Sequence, residues 1–164
     1  MSYYNIADFM EDCDAFNEIA NNHTKLKWKD LMNQLKLIRE EVDELDDALN
    51  DNLPVSALDG VVDILVTTLG MLQKFQKMGC DTLSALEDTA GNNLSKYPTT
   101  EDIAIQTGQH YAFPVTIDYN SRYDLFVIKD EDGKVRKPVG FKPNDLSKYV
   151  PKELREGGFD EFNE

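Results

Sequence analysis

A chain of 164 residues with 41% hydrophobic and 29% charged residues is long enough for one ordinary globular domain and too short for two of typical size. Its formal net charge of −14 argues against a nucleic-acid backbone as the partner, because phosphate binding needs clustered lysine and arginine side chains. The isolated cysteines Cys13 and Cys80 and two histidines distant in sequence give little support to a cysteine–histidine zinc site.

The N-terminus shows no basic stretch followed by an apolar run, so we expect a cytoplasmic protein with reduced thiols. The most apolar run, Val61 to Leu72, contains Asp63 and is shorter than the roughly 20 apolar residues that span a bilayer. We therefore expect no membrane partner.

The first half of the chain has the apolar spacing of amphipathic helices. This spacing predicts a first helix from Ile6 to Ala20, ending at Asn21–Asn22, and a second helix from Trp28 to about Asp51. Pro54 suits the first turn of a third helix, which we expect from about Val55 to Met78.

Gly79 is placed to close the third helix as a left-handed cap. A fourth helix is expected from about Thr82 to Leu94. Thr99 with Asp102 resembles a capping box, which predicts a short fifth helix that ends near Gln106.

After Gly108 the sequence becomes rich in β-branched and aromatic residues, in the stretches "YAFPVTIDY", "YDLFVIK" and "KVRKPVGF". Asp132–Gly133, between the last two stretches, is a hairpin signal. We predict a mainly α fold: an antiparallel bundle of four to five helices over residues 1–107, with a small β-hairpin appendage and polar tail over residues 108–164. Both parts are expected to form one globular unit.

Acidic residues share a face on each of two neighbouring helices. The second helix carries Glu40, Glu41 and Glu44 in the pattern E-E-x-x-E, and the third carries D-x-x-x-D, at Asp59 and Asp63. The short connection predicts an antiparallel pair. Counted from the turn, Glu44 comes level with Asp59. By the same count Glu41 comes level with Asp63.

Asp63 is the only charged residue in "VVDILVTTLGML". An unpaired carboxylate in such a setting costs several kcal/mol or takes up a proton, and facing carboxylates increase that cost. A bound divalent cation removes the conflict, and carboxylate oxygens select a hard ion, Mg²⁺ or Mn²⁺. We favour a metal site over a merely solvated acidic face. Ion pairing remains possible with three basic residues, Lys36, Arg39 and Lys74.

The order of these motifs resembles the all-α nucleoside triphosphate pyrophosphatase superfamily, which comprises MazG-like enzymes, dimeric dUTPases and phosphoribosyl-ATP pyrophosphohydrolase-like proteins. "LKLIREEVDELDDAL" resembles the second-helix signature, and "LDGVVDILVTTLGMLQKFQKMG" resembles the D-x-x-x-D helix that ends at glycine. "GNNLSKY" is similar to the S-N-M-S-K element of the pyrophosphohydrolase-like branch, and "DGKVRKPVGFKPNDL" resembles its C-terminal hairpin. The resemblance covers most of residues 5–146.

The chain departs from the family patterns at three positions. Gly60 stands where the MazG and dUTPase form has a glutamate, so Asp59 matches the other branch. Asn92 and Leu94 replace the serine and methionine of S-N-M-S-K.

The resemblance implies Mg²⁺ bound by Glu41, Glu44 and Asp63 together with Asp59, and Glu40 as the residue that orients or deprotonates the attacking water. The implied reaction is attack of water at the α-phosphorus of a (deoxy)nucleoside triphosphate, which gives a monophosphate and pyrophosphate. The implied assembly is a homodimer or homotetramer, which also fits the apolar circumference of the third helix.

Asn93 and Lys96 are candidate substrate ligands, Lys96 for phosphate and Asn93 for phosphate, sugar or base. Both residue types equally suit an ordinary helix C-terminus, and the resemblance favours the substrate role. Lysines 134, 137 and 142 give the appendage a local positive charge, which we interpret as protection of a hairpin edge against aggregation.

Two other functions stay open. The substrate could be another diphosphate-linked compound, such as phosphoribosyl-ATP or a nucleotide sugar. Alternatively the chain is a non-catalytic helical module whose third helix binds a partner. The preferred base cannot be predicted, because base selection depends on a few pocket contacts.

Overall fold

The structure is a computed structural model and describes residues 5–20 and 26–158. In these residues the chain forms α-helices, one short 3₁₀ helix and a two-stranded antiparallel sheet. The expected mainly α fold with a small hairpin towards the C-terminus is therefore confirmed. The chain divides into two units: the described residues of Met1–Thr82 with Ser147–Glu164, and Leu83–Leu146. The division at residue 107 stays a prediction.

The first unit contains three long helices, α1 (Ile6–Ala20), α2 (Trp28–Asn50) and α3 (Pro54–Lys77). These bounds agree with the apolar spacing to within one residue, although the expected end of α1 at Asn21–Asn22 lies outside the described residues. Gly79 has φ +90°, the left-handed conformation expected of the cap.

A tight turn joins α2 to α3 and makes them antiparallel. Asn52 adopts φ 56°, which asparagine tolerates better than most residues. The Leu53 N–H donates to the Ala48 carbonyl at 2.8 Å. Pro54 follows as the first residue of α3, where its missing N–H has no helical partner to lose. The predicted short connection is thus formed by local turn chemistry.

Polar side chains lie in the interior of this unit. The Gln34 side-chain amide donates to the Thr67 carbonyl at 2.8 Å, and the Lys74 ammonium donates to the Gln34 Oε1 at 3.0 Å. A Cβ on Gly70 would lie 2.7 Å from the Asn17 Oδ1, so α1 and α3 approach closely at that glycine. Buried polar contacts therefore link α2 to α3, and the buried Asn17 of α1 lies against α3 at Gly70.

In the second unit, α4 (Thr82–Leu94) has the predicted bounds and α5 (Glu101–His110) does not. The cap of α5 is Thr100, whose Oγ1 accepts from the Ile103 N–H at 3.4 Å, so the expected cap at Thr99 is one residue early. The helix continues past the expected end at Gln106 to His110. In this last part Thr107 is fully buried, and its hydroxyl donates to the Ile103 carbonyl at 2.7 Å.

The hairpin consists of β1 (Val115–Asn120) and β2 (Leu125–Asp130), paired from Val115↔Asp130 to Asn120↔Leu125. The hairpin expected around Asp132–Gly133 is formed only in part: the chain turns there, and the stretch after the turn pairs with β2 through the isolated antiparallel bridge Lys129↔Val135 and two backbone hydrogen bonds, without becoming a strand. The Asp130 carboxylate accepts the backbone N–H groups of Asp132 and Lys134, which holds this segment in a turn.

The stretch beyond residue 145 is not only the expected polar tail. It forms a 3₁₀ helix (Leu146–Tyr149) and α6 (Lys152–Gly157) before the described residues end at 158. The Asp81 N–H donates to the Tyr149 carbonyl at 2.9 Å. This contact ties the returning chain to the segment that follows α3.

Candidate carboxylate site

The acidic residues predicted for the site lie on α2 and α3 within the first unit. Glu41 and Asp63 are half-buried, whereas Glu40, Glu44 and Asp59 are exposed. In the single chain Asp63 is therefore less buried than the apolar sequence around it suggests. Asp63 stays partly accessible because much of α3 is uncovered in the single chain.

Gly60 fixes the register of the two helices at the level of the site. A Cβ at this buried glycine would lie 3.1 Å from the Leu45 Cβ and 3.3 Å from the Leu45 Cα. Because Leu45 follows Glu44 and Gly60 follows Asp59 in the chain, this contact places the two acidic sets at the same height along the pair. The level matching predicted from the turn agrees with this contact.

Electrostatics show that the carboxylates come together. The pKa of Glu41 is raised above its ordinary value of 4.5, first because burial disfavours the charged form and then because neighbouring carboxylates repel it. The neighbours that contribute, in decreasing order, are Asp63, Glu44, Glu40 and Asp59. The four other acidic residues predicted for the site thus all lie near enough to Glu41 to act on its charge.

The donor chemistry fits a hard cation, but the side chains do not form a finished coordination shell. In residues 5–20 and 26–158, no three His, Cys, Asp or Glu side chains are arranged to hold a metal ion. Among the same residues, none of the four proposed ligands has an ion pair or a side-chain hydrogen bond. Their carboxylates are therefore not fixed by other partners and can turn towards a shared ion.

The alternative of pairing with basic side chains receives no support. The Lys74 ammonium is bound to Gln34 in the interior. Within the described part of the chain, neither Lys36 nor Arg39 forms an ion pair with these carboxylates. Within the described residues, the carboxylates of the site are thus not neutralised by Lys36, Arg39 or Lys74.

Gly60 is a site-determining residue whose role the sequence did not reveal. A glutamate at this position would have its Cβ against Leu45, closer than nearly all real Cβ contacts. The E-x-x-D ligand pattern would require Leu45 to shift by a few tenths of an ångström, so this helix separation favours D-x-x-x-D on α3. In the sequence this showed only as a glycine in place of the glutamate of the MazG and dUTPase form. The reason for that glycine is the contact with Leu45 on the neighbouring helix.

The candidate substrate ligands lie in the second unit. The Lys96 ammonium donates to the Asn93 Oδ1 at 2.7 Å, at the C-terminal end of α4. Both residues line a cavity of about 700 Å³, together with Lys134 and Lys137. The structure therefore brings Asn93 and Lys96 together. It also places Lys134 and Lys137, which were predicted to protect a hairpin edge, in the same cavity wall.

Much of the apolar surface of α3 is uncovered in the single chain. Val55 is 82% exposed and Leu58 is 67% exposed, and Val61, Val62 and Leu65 are also exposed. Of the described helices, α3 alone is long and apolar enough to cross a membrane by length and composition. Buried core helices of water-soluble proteins pass the same test, but only 11% of this window is buried in the single chain. One such helix alone assigns no membrane.

Comparisons with models of known protein families, with curated proteins and with solved structures gave no match to this chain. The resemblance to the all-α nucleoside triphosphate pyrophosphatases therefore rests on the quoted motifs and stays a prediction. The residues themselves provide a convergence of carboxylates on α2 and α3 and a lysine-lined cavity beside α4.

Proposed function

We propose that this protein is a Mg²⁺-dependent (deoxy)nucleoside triphosphate pyrophosphohydrolase that releases a nucleoside monophosphate and pyrophosphate. The observation that carries the proposal is the convergence of unpaired carboxylates across the α2–α3 pair, where burial first and then the neighbouring carboxylates raise the pKa of Glu41. Such a cluster destabilises a folded chain unless a cation offsets it. Because all the donors are carboxylate oxygens, the cation is a hard one, Mg²⁺ with Mn²⁺ as the substitute.

Four residues would hold the ion: Glu41, Glu44, Asp59 and Asp63. The bound ion would supply positive charge close to the phosphate oxygens of the substrate. Glu41 and Asp63 are half-buried and would form the inner wall of the site, while the exposed Glu44 and Asp59 would adjust to the incoming ligand.

Glu40 would act as the base. It precedes Glu41 on α2, is exposed, and contributes to the raised pKa of Glu41, so it lies at the edge of the cluster where water enters. Its carboxylate would accept a proton from water as the water oxygen bonds to the α-phosphorus. The bond from the α-phosphorus to the α,β-bridging oxygen breaks, and pyrophosphate leaves with the electron pair.

The proposal includes a homo-oligomer formed through α3. The exposed residues Val55, Leu58, Val61, Val62 and Leu65 recur at helical spacings of three and four, which makes an apolar stripe along one side of the helix. A lipid-facing helix would be apolar around its circumference, whereas Asp59 and Asp63 lie on α3 directly beside this stripe. The stripe therefore favours a second copy of the chain over a bilayer, in line with the cytoplasmic location expected from the sequence.

The deciding experiment measures pyrophosphate release from each common deoxynucleoside triphosphate in the presence of Mg²⁺, with phosphoribosyl-ATP and a nucleotide sugar in the same panel. We expect Glu41→Gln and Asp63→Asn to abolish turnover while circular dichroism shows unchanged helix content. Asp46→Asn removes an exposed charge from α2 and is the matched control, which should retain activity. Retained turnover in Glu41→Gln refutes the site, and no hydrolysis of any compound favours the interaction module.

A further inference from the structure

The cavity beside α4 is unusual in a chain of net charge −14, because lysines line it. Lys96 comes from the segment after α4, and Lys134 and Lys137 come from the segment after β2. The remaining wall is formed by small, apolar, amide and aromatic side chains: Ala90, Asn93, Leu94, Tyr97 and Val135. All of these residues belong to the second unit.

These lysines are not neutralised within the described residues. None of the three forms an ion pair with a carboxylate there. Lys96 contacts the neutral amide oxygen of Asn93, and the Lys137 ammonium lies 5.1 Å from the ring centre of Phe141. The buried Asp130 is already engaged by Arg136 and by backbone N–H groups. Three lysines therefore line one cavity, and none of them is paired with a carboxylate within the described residues.

Edge protection does not explain why the two lysines after β2 share a cavity with Lys96. Residues 134 and 137 lie outside both strands, although their segment pairs with β2 through the bridge Lys129↔Val135 and through the Asp130 N–H, which donates to the Lys134 carbonyl at 3.1 Å. Lysines that protect a sheet edge point into solvent, and Lys134 and Lys137 are exposed. Protection of an edge does not require them to line one cavity with a lysine from the segment after α4, whereas an anionic ligand does.

A second cavity, of about 360 Å³, adjoins the first and shares Leu94, Tyr97 and Val135 with it. Its other lining residues are mainly apolar or aromatic: Tyr123, Leu125 and Val127, with Asn120 and Lys129 at its polar part. The two cavities together form a groove with a cationic part and an apolar, aromatic part. A ligand that matches both parts has an anionic group joined to a flat, weakly polar ring.

We infer that this groove binds a nucleotide, with its phosphates on Lys96, Lys134 and Lys137 and its base against the aromatic side chains of the adjoining cavity. Ammonium–phosphate contacts are strong hydrogen bonds, and tyrosine rings stack on bases. Binding here requires no metal and no hydrolysis. That the bound nucleotide is also the substrate of the α2–α3 site rests on the proposed function.

The test is calorimetric titration of the full chain with α,β-methylene-ATP, which resists cleavage between its α- and β-phosphates, in buffer with EDTA. We expect Lys134→Gln and Lys137→Gln each to weaken binding by about tenfold. Lys142→Gln makes the same charge change in the same unit but lies outside the cavity wall, and it should change affinity less than about twofold. Equal weakening by Lys142→Gln, or no binding by the unmodified chain, overturns the site.

Two further titrations examine the halves of the groove. Inorganic tripolyphosphate should bind more weakly than α,β-methylene-ATP and should respond to Lys134→Gln, whereas adenosine alone should not bind detectably. Tyr123→Ala should weaken the nucleotide and leave tripolyphosphate unchanged. If Tyr123→Ala affects neither ligand, or tripolyphosphate binds as tightly as the nucleotide, the groove recognises only phosphate and the assignment to a nucleotide is wrong.

Different results would refute nucleotide binding in the groove and the proposed hydrolase activity. Glu41→Gln should lose pyrophosphate release and keep metal-free binding of α,β-methylene-ATP. Pyrophosphate release with unchanged KM in Lys134→Gln, and no metal-free binding, contradicts the groove alone. Metal-free binding without pyrophosphate release by the unmodified chain contradicts the hydrolase alone.

Discussion

The Lys74 ammonium donates to the Gln34 Oε1 at 3.0 Å inside the three-helix unit, where Lys74 is only 5% exposed. Burial lowers the pKa of Lys74 below its ordinary value of 10.5; the charge of Lys77 acts in the same direction and Asp30 opposes it. Gln34 uses its amide N–H groups for the Thr67 carbonyl of α3. A costly buried charge is thus held in one defined contact between the two helices that carry the acidic cluster.

Lys74→Met should change how stability depends on pH. Because the pKa is lowered in the folded state, protonated Lys74 penalises folding below that pKa, and the penalty disappears as pH rises towards 10.5. The free energy of unfolding of the unmodified chain should therefore rise relative to that of Lys74→Met between neutral pH and about pH 10. Urea unfolding at several pH values measures this difference. An equal slope with Lys36→Met, which removes an exposed lysine of α2, contradicts the assignment.

Glu41→Gln should stabilise the metal-free protein at neutral pH. Burial and the neighbouring carboxylates raise the pKa of Glu41 above 4.5, so its ionised form penalises folding once the pH exceeds the folded-state pKa. Removing the charge lifts that penalty, and the advantage should fade as pH falls towards 4.5. Thermal unfolding in EDTA from pH 4 to 8 checks this expectation.

Mg²⁺ should make the unmodified chain more stable than Glu41→Gln, the opposite of the order expected without metal. Adding Mg²⁺ at neutral pH should raise the Tm of the unmodified chain, because the ion binds the folded state, and should have little effect on Glu41→Gln. Asp46→Asn keeps the cluster and should respond like the unmodified chain. If Mg²⁺ leaves the Tm of the unmodified chain unchanged across millimolar concentrations, the carboxylates do not form a cation site.

Gly60→Ala should separate α2 from α3 and loosen the site. The new Cβ would lie 3.1 Å from the Leu45 Cβ, and overpacking of this kind costs roughly 1–3 kcal/mol. We also expect a smaller Mg²⁺-induced rise in Tm, because the acidic sets move apart. Gly91→Ala on α4 meets nothing within 4 Å and should stabilise by about 0.5–1 kcal/mol. Equal effects of the two substitutions in urea unfolding would contradict the close approach at Gly60.

The helices of the first unit could be predicted because their signals are local. Apolar spacing, Pro54 at the start of α3 and Gly79 after its end each act within a few residues, and the structure agrees with them. The alignment of Glu44 with Asp59 followed from counting residues on either side of a tight turn. Local chemistry and simple geometry were sufficient to predict the bounds of α2 and α3 and the level at which their acidic residues lie.

The features that could not be predicted depend on contacts distant in sequence. The Asp132–Gly133 signal does mark a turn, with Gly133 at φ +77°, and the Asp130 carboxylate accepts the Lys134 N–H there, but the pairing after the turn stops at the single bridge Lys129↔Val135. The constraint on Gly60 comes from Leu45 across the helix pair. The lysine-lined cavity joins residues about 40 positions apart, and no periodicity indicates such a meeting.

The apolar stripe of α3 should set the oligomeric state. Val55 and Leu58 are largely exposed in the single chain, and burying them in a second copy removes apolar surface from water at about 25 cal/mol per Å². We expect sedimentation to show a dimer or tetramer for the unmodified chain. The double substitution of Val55→Glu with Leu58→Glu should give a folded monomer, because two charges in that interface would be desolvated.

Ile19→Glu is the matched control for this prediction, since Ile19 of α1 is 82% exposed and lies off the stripe. It should leave the oligomer intact. A monomeric unmodified chain would refute the interface, and so would an oligomer that survives the double substitution. Flotation of the unmodified chain with phospholipid vesicles, lost on the double substitution, would instead assign the stripe to a membrane surface, because the same apolar side chains would then be covered by lipid and not by a second copy.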